Sequence, residues 1–147
     1  MGQGSIIGYE INEKTCQISF YNDQELEPDT LEVDSDNYQI PLIIGKLRDT
    51  WAYGKEAKRL VTIKEGFTVT RLLSKSLAGD KIEFGEETYD AVWLLSQFIQ
   101  MSLQPFPEIE GIVFTVPALT EELAQMLRGI AVRMNIDKRH IFIQDYK

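Results

Sequence analysis

The two side chains that most often carry nucleophilic or metal chemistry each occur once in this sequence, as Cys16 and His140. Cys16 lies in an alternating apolar segment, where a cysteine is usually a small buried hydrophobe. His140 precedes an apolar run and has no cysteine or second histidine nearby to complete a metal site. We therefore predict neither a Ser-His-Asp or Cys-His catalytic group nor a metal centre.

Charged side chains at the ends of apolar runs are the other candidates for chemistry, and they include Glu10, Lys58 and Asp145. Each also has an ordinary structural interpretation. Glu10 ends a strand, Lys58 is one of several cations on a short helix, and Asp145 is a surface acid. Residue type alone does not choose between these interpretations, so the elements that position the side chains matter.

The chain opens with a predicted β-hairpin. Ser5–Ile11 is rich in isoleucine and is typical of a buried strand. A turn at Asn12–Lys14 follows. Cys16, Ile18 and Phe20 then alternate with polar residues, which predicts the second arm. A third strand is predicted around Thr30–Val33.

The remaining elements alternate between helices and strands. In the middle we predict strands at 40–44 and 50–53 joined through 45–49, helices at 54–60 and 68–78, and a strand at 81–84. The last third predicts a helix at 88–104, a strand at 111–116, a helix after the N-cap Thr120, and a strand at 140–144. This order predicts a single α/β domain over 1–147. Its mixed sheet combines a three-strand antiparallel meander with parallel strands, flanked by helices, and an α+β insert occupies 36–85.

Four segments resemble motifs of actin-like and heat-shock-chaperone-like ATPases, and they occur in the same order across nearly the whole chain. Ile6–Asn12 (IIGYEIN) resembles the first phosphate motif, and Gly54–Lys58 (GKEAK) resembles the segment whose lysine approaches the transferred phosphate. Phe114–Ala118 (FTVPA) resembles the chaperones' Thr-Val-Pro-Ala segment, and Ile143–Tyr146 (IQDY) is similar to their Ile-Asn-Glu-Pro strand end. The resemblance implies a ribonuclease-H-like first lobe.

The resemblance also implies roles for individual residues. Lys58, Glu10 and Asp145 stand at the catalytic positions, where the family neutralises the transferred phosphate and orders magnesium and water. The cofactor-binding positions comprise the phosphate turn and the proline that links nucleotide state to lobe movement, and here they are Asn12, Glu13, Lys14, Thr15 and Pro117.

The sequence departs from the family at the phosphate motif. Glu10 is one methylene longer than the usual aspartate, Asn12 replaces a glycine, and Glu13 adds an anion. An uncompensated carboxylate about 4 Å from a phosphate oxygen costs roughly 1–4 kcal/mol. We therefore predict a degenerate phosphate site. ATP and magnesium are expected only if a second lobe is present, because these ATPases bind nucleotide between two lobes.

The composition limits the partners. The chain has a net charge of −8, and its Lys and Arg residues form no run that could follow a phosphate backbone. It shows no signal peptide and no apolar stretch near the ~20 residues of a membrane span. We expect a cytoplasmic location without nucleic-acid or membrane partners. The expected partner is the missing second lobe or another protein.

Three functions remain open at this point. The first is a truncated or naturally reduced ATPase lobe with a degenerate phosphate site, which serves as a scaffold or interaction module of a larger protein. The second is a functional ATP-binding half that needs the missing second lobe. The third is an unrelated small α/β interaction domain.

Overall fold

The computed structural model describes residues 4–21, 29–30 and 38–146. Within them the strands are β1 (Ser5–Ile11), β2 (Thr15–Tyr21), β3 (Asp29–Thr30), β4 (Gln39–Pro41), β5 (Ile44–Leu47), β6 (Thr50–Tyr53), β7 (Phe67–Val69), β8 (Lys81–Phe84), β9 (Glu87–Asp90), β10 (Ile109–Val116) and β11 (Ile141–Asp145). The α-helices are α1 (Lys55–Ile63), α2 (Leu72–Ala78), α3 (Ala91–Ser102) and α4 (Glu121–Arg133), and a 3₁₀ turn spans Lys138–His140.

The chain divides into two compact units. Unit 1 is built from the described residues within Met1–Asn12, Cys16–Gln39 and Gln104–Lys147. Unit 2 comprises Glu13–Thr15 and Ile40–Leu103. The insert predicted at 36–85 lies largely within unit 2, which also includes α3.

Unit 1 contains a mixed sheet in the order β11-β10-β1-β2-β3. β1, β2 and β3 pair antiparallel, whereas β10 runs parallel to both β1 and β11. This confirms the predicted α/β class with antiparallel and parallel strands in one sheet. The third strand is observed at Asp29–Thr30, and the rest of its predicted range lies outside the described residues.

The core of unit 1 follows the period of two that the β1 sequence predicts. Every second residue of β1 is buried on one face, and the equivalent residues of β10 pack beside them. The Tyr9 and Phe114 rings meet edge to face at 5.7 Å. Helix α4 contributes Leu123, Leu127 and Ile130, which lie at helical spacing and are buried. Met134, which the same spacing predicts on this face, follows the end of the helix and is only partly buried.

Unit 2 contains a sheet in the order β6-β5-β7 and the separate β8–β9 hairpin, together with α1, α2 and α3. Predictions for three segments of this unit were wrong. Residues 45–47 belong to β5 rather than to a connection, because Gly45 pairs with both Ala52 and Thr68. The helix predicted from Thr68 begins only at Leu72, because Phe67–Val69 forms β7 against β5.

The helix predicted from Thr88 also begins later, at Ala91. Residues 87–90 form β9, which pairs with β8 through a turn containing Gly85 at φ 68°. The Lys81 ammonium lies 2.8 Å from the Asp90 carboxylate across this hairpin. The conformation of residues 87–90 therefore depends on pairing with β8, and this pairing leaves no helical spacing in the sequence.

Helices in the described ranges are short relative to a bilayer. None of them is both long enough and apolar enough to cross a membrane.

Candidate functional site

The carboxyl ends of three parallel strands bring several predicted site residues together in unit 1. Glu10 lies opposite Thr115, and Asp145 lies opposite Val116. Pro117 follows β10 directly. Since parallel strands end at a common edge, Glu10, Pro117 and Asp145 occupy the same edge of this sheet.

Both carboxylates at this edge make contacts with their own chain. The pKa of Tyr146 is raised, first by its hydrogen bond with Glu10 and then by burial. Asp145 Oδ2 accepts a hydrogen bond from the Leu119 N–H at 3.3 Å. Asp145 thereby stabilises the turn between β10 and α4, and Glu10 holds the residue that follows β11.

The turn after β1 is built differently from the phosphate motif that it resembles. The Asn12 backbone is not left-handed, so this residue does not reproduce the conformation that a glycine would provide. Gly8 has a packing role, because a Cβ atom there would collide with the Ser19 side chain on β2. Packing within the hairpin therefore explains Gly8.

The other predicted residues line a cavity in unit 2. It has a volume of about 430 Å³, and its walls include Glu13, Lys14, Thr15 and Lys58. Its remaining lining residues are Pro41, Leu42, Ile43, Thr70 and Arg71. The Leu42 N–H donates to the Lys14 carbonyl at 2.8 Å, which fixes segment 13–15 against the chain that precedes β5.

Lys58 is presented by helix α1. The helix starts after Gly54, whose φ of 65° and ψ of −133° suit a glycine. A Cβ at Gly54 would also lie 2.8 Å from Ile40 Cγ2. The Lys58 N–H donates to the Gly54 carbonyl at 3.0 Å, so the segment that resembles the lysine motif forms the first turn of α1.

The Glu13 side chain caps the N-terminus of helix α2 through Ser74, while Arg71 occupies the N-cap position. The Glu13 Oε1 atom accepts the Ser74 N–H at 3.0 Å, and the Glu13 Oε2 atom accepts a short hydrogen bond from the Ser74 hydroxyl. The N-terminal N–H groups of a helix lack intrahelical partners and carry partial positive charge, so a carboxylate is favourable there. The acid predicted to face a phosphate thus stabilises a helix.

The cavity that contains Glu13 is rich in cations. Lys14, Lys58 and Arg71 all line it, and all three are exposed. Arg71 adopts a left-handed backbone with φ 56° immediately before α2. The exposed cations Lys58 and Arg71 favour an anion such as phosphate or carboxylate.

Neither unit shows a metal centre within the described residues. No group of three or more His, Cys, Asp or Glu side chains is close enough there to hold an ion. The His140 Nδ1 lies 3.2 Å from the Glu110 carbonyl. Cys16 is buried as predicted, and burial raises the pKa of its thiol to about 12, which makes it a poor nucleophile.

Sequence reasoning missed Arg71, Ser74 and Tyr146 as neighbours of the predicted residues. Arg71 and Ser74 belong to no recognisable motif. Their place beside the predicted residues depends on the fold, which brings α2 next to Glu13, 61 residues before Ser74.

Comparison with known proteins provides one match. No curated protein matches the sequence. A family model described as "Family of unknown function (DUF5716) C-terminal" matches residues 27–147. This match covers most of the sequence, including all of the elements from β3 to β11. The chain therefore belongs to the DUF5716 C-terminal family.

Proposed function

We propose that the chain is a ribonuclease-H-like lobe related to actin-like and heat-shock-chaperone-like ATPases, with a degenerate phosphate site, and that it serves as a scaffold or interaction module. The strand order of unit 1 supports this kinship. An antiparallel β1-β2-β3 meander is extended on the β1 side by parallel strands β10 and β11. The segments that resemble the ATPase motifs lie at the ends of β1, β10 and β11 and at the start of α1.

The engagement of the two acids near the first motif carries the degenerate-site proposal. Glu13 binds the backbone and hydroxyl of Ser74, and Glu10 binds Tyr146. Hydrated magnesium is usually held by one or two carboxylates together with substrate phosphates. A carboxylate must break its internal hydrogen bond before it can bind a metal, and it then loses the stabilisation of that bond. Magnesium-dependent phosphate chemistry is therefore disfavoured.

Calorimetry tests this proposal directly. The protein is titrated with ATP in excess Mg²⁺ and again in EDTA, and we expect no saturable binding that requires Mg²⁺. Lys58→Ala and the exposed Lys138→Ala form a matched pair, because Lys138 lies outside the cavity. Micromolar ATP binding that needs Mg²⁺ and is lost in Lys58→Ala but kept in Lys138→Ala would refute the degenerate site.

The cation-lined cavity favours a second candidate function, an ATP-binding half that acts only with a second lobe. Lys14, Lys58 and Arg71 could neutralise phosphate oxygens, and Thr15 adds a hydroxyl to the same walls. In a longer protein that carries a second lobe, Lys58→Ala and Glu10→Ala would each lower ATP hydrolysis sharply. Unchanged rates in both variants would eliminate this candidate.

The proposal also includes the location of the module and the kind of partner that it binds. A buried, unreactive thiol and a net charge of −8 support a reducing cytoplasm and partners that are proteins rather than nucleic acids or membranes.

A further inference from the structure

Unit 2 contains a second cavity, the β6 cavity, which is lined by Thr50–Tyr53 of β6 and by residues of β5, α1 and α3. Its volume is about 560 Å³. It shares no lining residue with the cavity that contains Lys58. Sites for small organic ligands have volumes of roughly 300–1,000 Å³ and mostly apolar walls with a few polar groups. The β6 cavity is therefore large enough for a small organic molecule.

Much of the wall of the β6 cavity is apolar. Leu47 comes from β5, Ala52 from β6, Leu60 from α1 and Met101 from α3. Leu60 is buried, and the other three are partly exposed. A Cβ atom on Gly45 would lie 3.4 Å from Leu60 Cδ1, so this glycine lets α1 pack closely on β5. These walls favour a ligand with an apolar body.

Two arginines make the β6 cavity positive. Arg48 and Arg59 line it and are exposed, and Glu56 is the acid among its described lining residues. The Arg59–Glu56 pair spans 3.9 Å between side chains that are 72% and 62% exposed, so it neutralises little of the arginine charge. Guanidinium groups bind carboxylates through two parallel hydrogen bonds. The charged part of the cavity is therefore suited to a carboxylate.

The position of Arg48 in the chain is a second indication. Arg48 lies in the two-residue turn between β5 and β6 and has a φ of 57°. Where such a turn needs a positive φ, glycine or asparagine is the usual residue. The turn itself therefore does not account for an arginine, whereas an anionic ligand in the cavity beside it does.

We propose that the β6 cavity binds a small amphipathic carboxylate, a molecule with one anionic head and an apolar body. The head pairs with Arg48 and Arg59, and the body contacts Leu47, Leu60 and Met101. Walls from a hairpin and two helices suit a compact ligand better than an extended protein segment. This site goes beyond the proposed function, because neither the phosphate site nor the role as a scaffold requires it.

Isothermal titration calorimetry with three probes tests the proposal. Decanoate carries both the head and the body, butyrate has the head with a short body, and decyltrimethylammonium has the body with the opposite charge. Below the concentrations at which the probes form micelles, we expect saturable binding of one decanoate per chain and at least tenfold weaker binding of the other two. Absence of saturable decanoate binding, or equal binding of either control probe, would overturn the proposal.

Variants locate the head group of the ligand. Arg48→Gly introduces a residue suited to the turn, and we expect it to weaken decanoate binding at least fivefold. Arg59→Ala, on the exposed side of α1, is expected to have a similar effect. Arg128→Ala on α4 is the matched control, because Arg128 is exposed and lies outside the cavity. Unchanged binding in both cavity variants, or equal loss in all three variants, would overturn the assignment.

A peptide distinguishes a small ligand from a protein segment. An eight-residue peptide of alternating Leu and Glu carries the same two chemistries as decanoate, and we expect it to bind more weakly than decanoate. Equal or tighter binding of the peptide would assign the β6 cavity to a segment of a partner protein and overturn the small-molecule ligand.

The tests of the two sites fail separately. Loss of the decanoate result leaves the degenerate phosphate site intact, because the titration with ATP involves Lys58 in a different cavity. Mg²⁺-dependent ATP binding would refute the degenerate site and leave the carboxylate site in place.

Discussion

Two helices, one in each unit, obtain their N-terminal caps in contrasting ways. In unit 1, Thr120 caps α4 from three residues away, with its Oγ1 accepting the Leu123 N–H at 3.1 Å. In unit 2, Glu13 caps α2 from 61 residues away. Both caps satisfy N–H groups that a helix leaves without partners. The first is visible in the sequence, whereas the second exists only in the folded unit.

The contrast shows why the role of Glu13 cannot be read from its local sequence. A carboxylate next to a hairpin turn is compatible with a phosphate-facing acid or with a distant cap, and residue type does not separate the two. The same holds for Glu10 and Asp145, whose partners are Tyr146 and the Leu119 N–H. Each of these acids therefore has a partner within its own unit, and the catalytic or binding role that the resemblance implies stays a prediction.

The largest expected effect comes from removing a buried aromatic side chain from the core of unit 1. Phe114 is fully buried against Tyr9, so Phe114→Ala should lower the free energy of unfolding by about 3–5 kcal/mol. Urea denaturation followed by circular dichroism measures the change. The matched control is Phe142→Ala on the adjacent strand, where the side chain is 57% exposed and little change is expected. Equal losses would show that the core is misassigned.

A second substitution removes the long-range cap of α2 and tests whether Glu13 stabilises the fold. Glu13→Ala leaves the Ser74 N–H without its carboxylate acceptor, and we expect a loss of about 1–2 kcal/mol in the free energy of unfolding. Glu86→Ala, in the exposed β8–β9 turn, serves as the control for loss of one negative charge. If Glu13 acted only as an anion beside a phosphate site, its removal would strengthen phosphate binding without any loss of stability.

Removing the local cap should have the smallest effect. Thr120→Ala is expected to cost about 0.5–1 kcal/mol, because Glu121 and Glu122 still provide negative charge in the first turn of α4. Thr120→Ser retains the hydroxyl and should restore most of the stability. Thermal unfolding of the two variants side by side measures the difference, and identical melting temperatures would show that the cap contributes nothing.

The fold was predictable where one segment contains its own pattern. β1 occurs at the predicted residues, β2 forms the predicted second arm of the hairpin, and α4 begins directly after the predicted N-cap Thr120. β7 and β9 were missed, because each is short and is defined by pairing with another strand. A three- or four-residue strand has too few residues to show a period, so its partner decides its conformation.

The candidate site was predictable only in part. Lys58, Glu13, Lys14 and Thr15 were all named as candidate site residues from the sequence, and they line one cavity. The sequence did not indicate Arg71, because a left-handed arginine has no local signature. It also did not indicate the β6 cavity, since the walls of that cavity come from elements that are far apart in the chain.

By itself, the sequence determined the conformation of its strongly periodic segments, the cap of α4 and the burial of its single cysteine. These features depend on side-chain spacing and on contacts within a few residues. Only the tertiary structure decided which partner each acid would take and which elements would enclose each cavity. Those outcomes depend on contacts between residues far apart in the chain, and the energies of such contacts cannot be read from either segment alone.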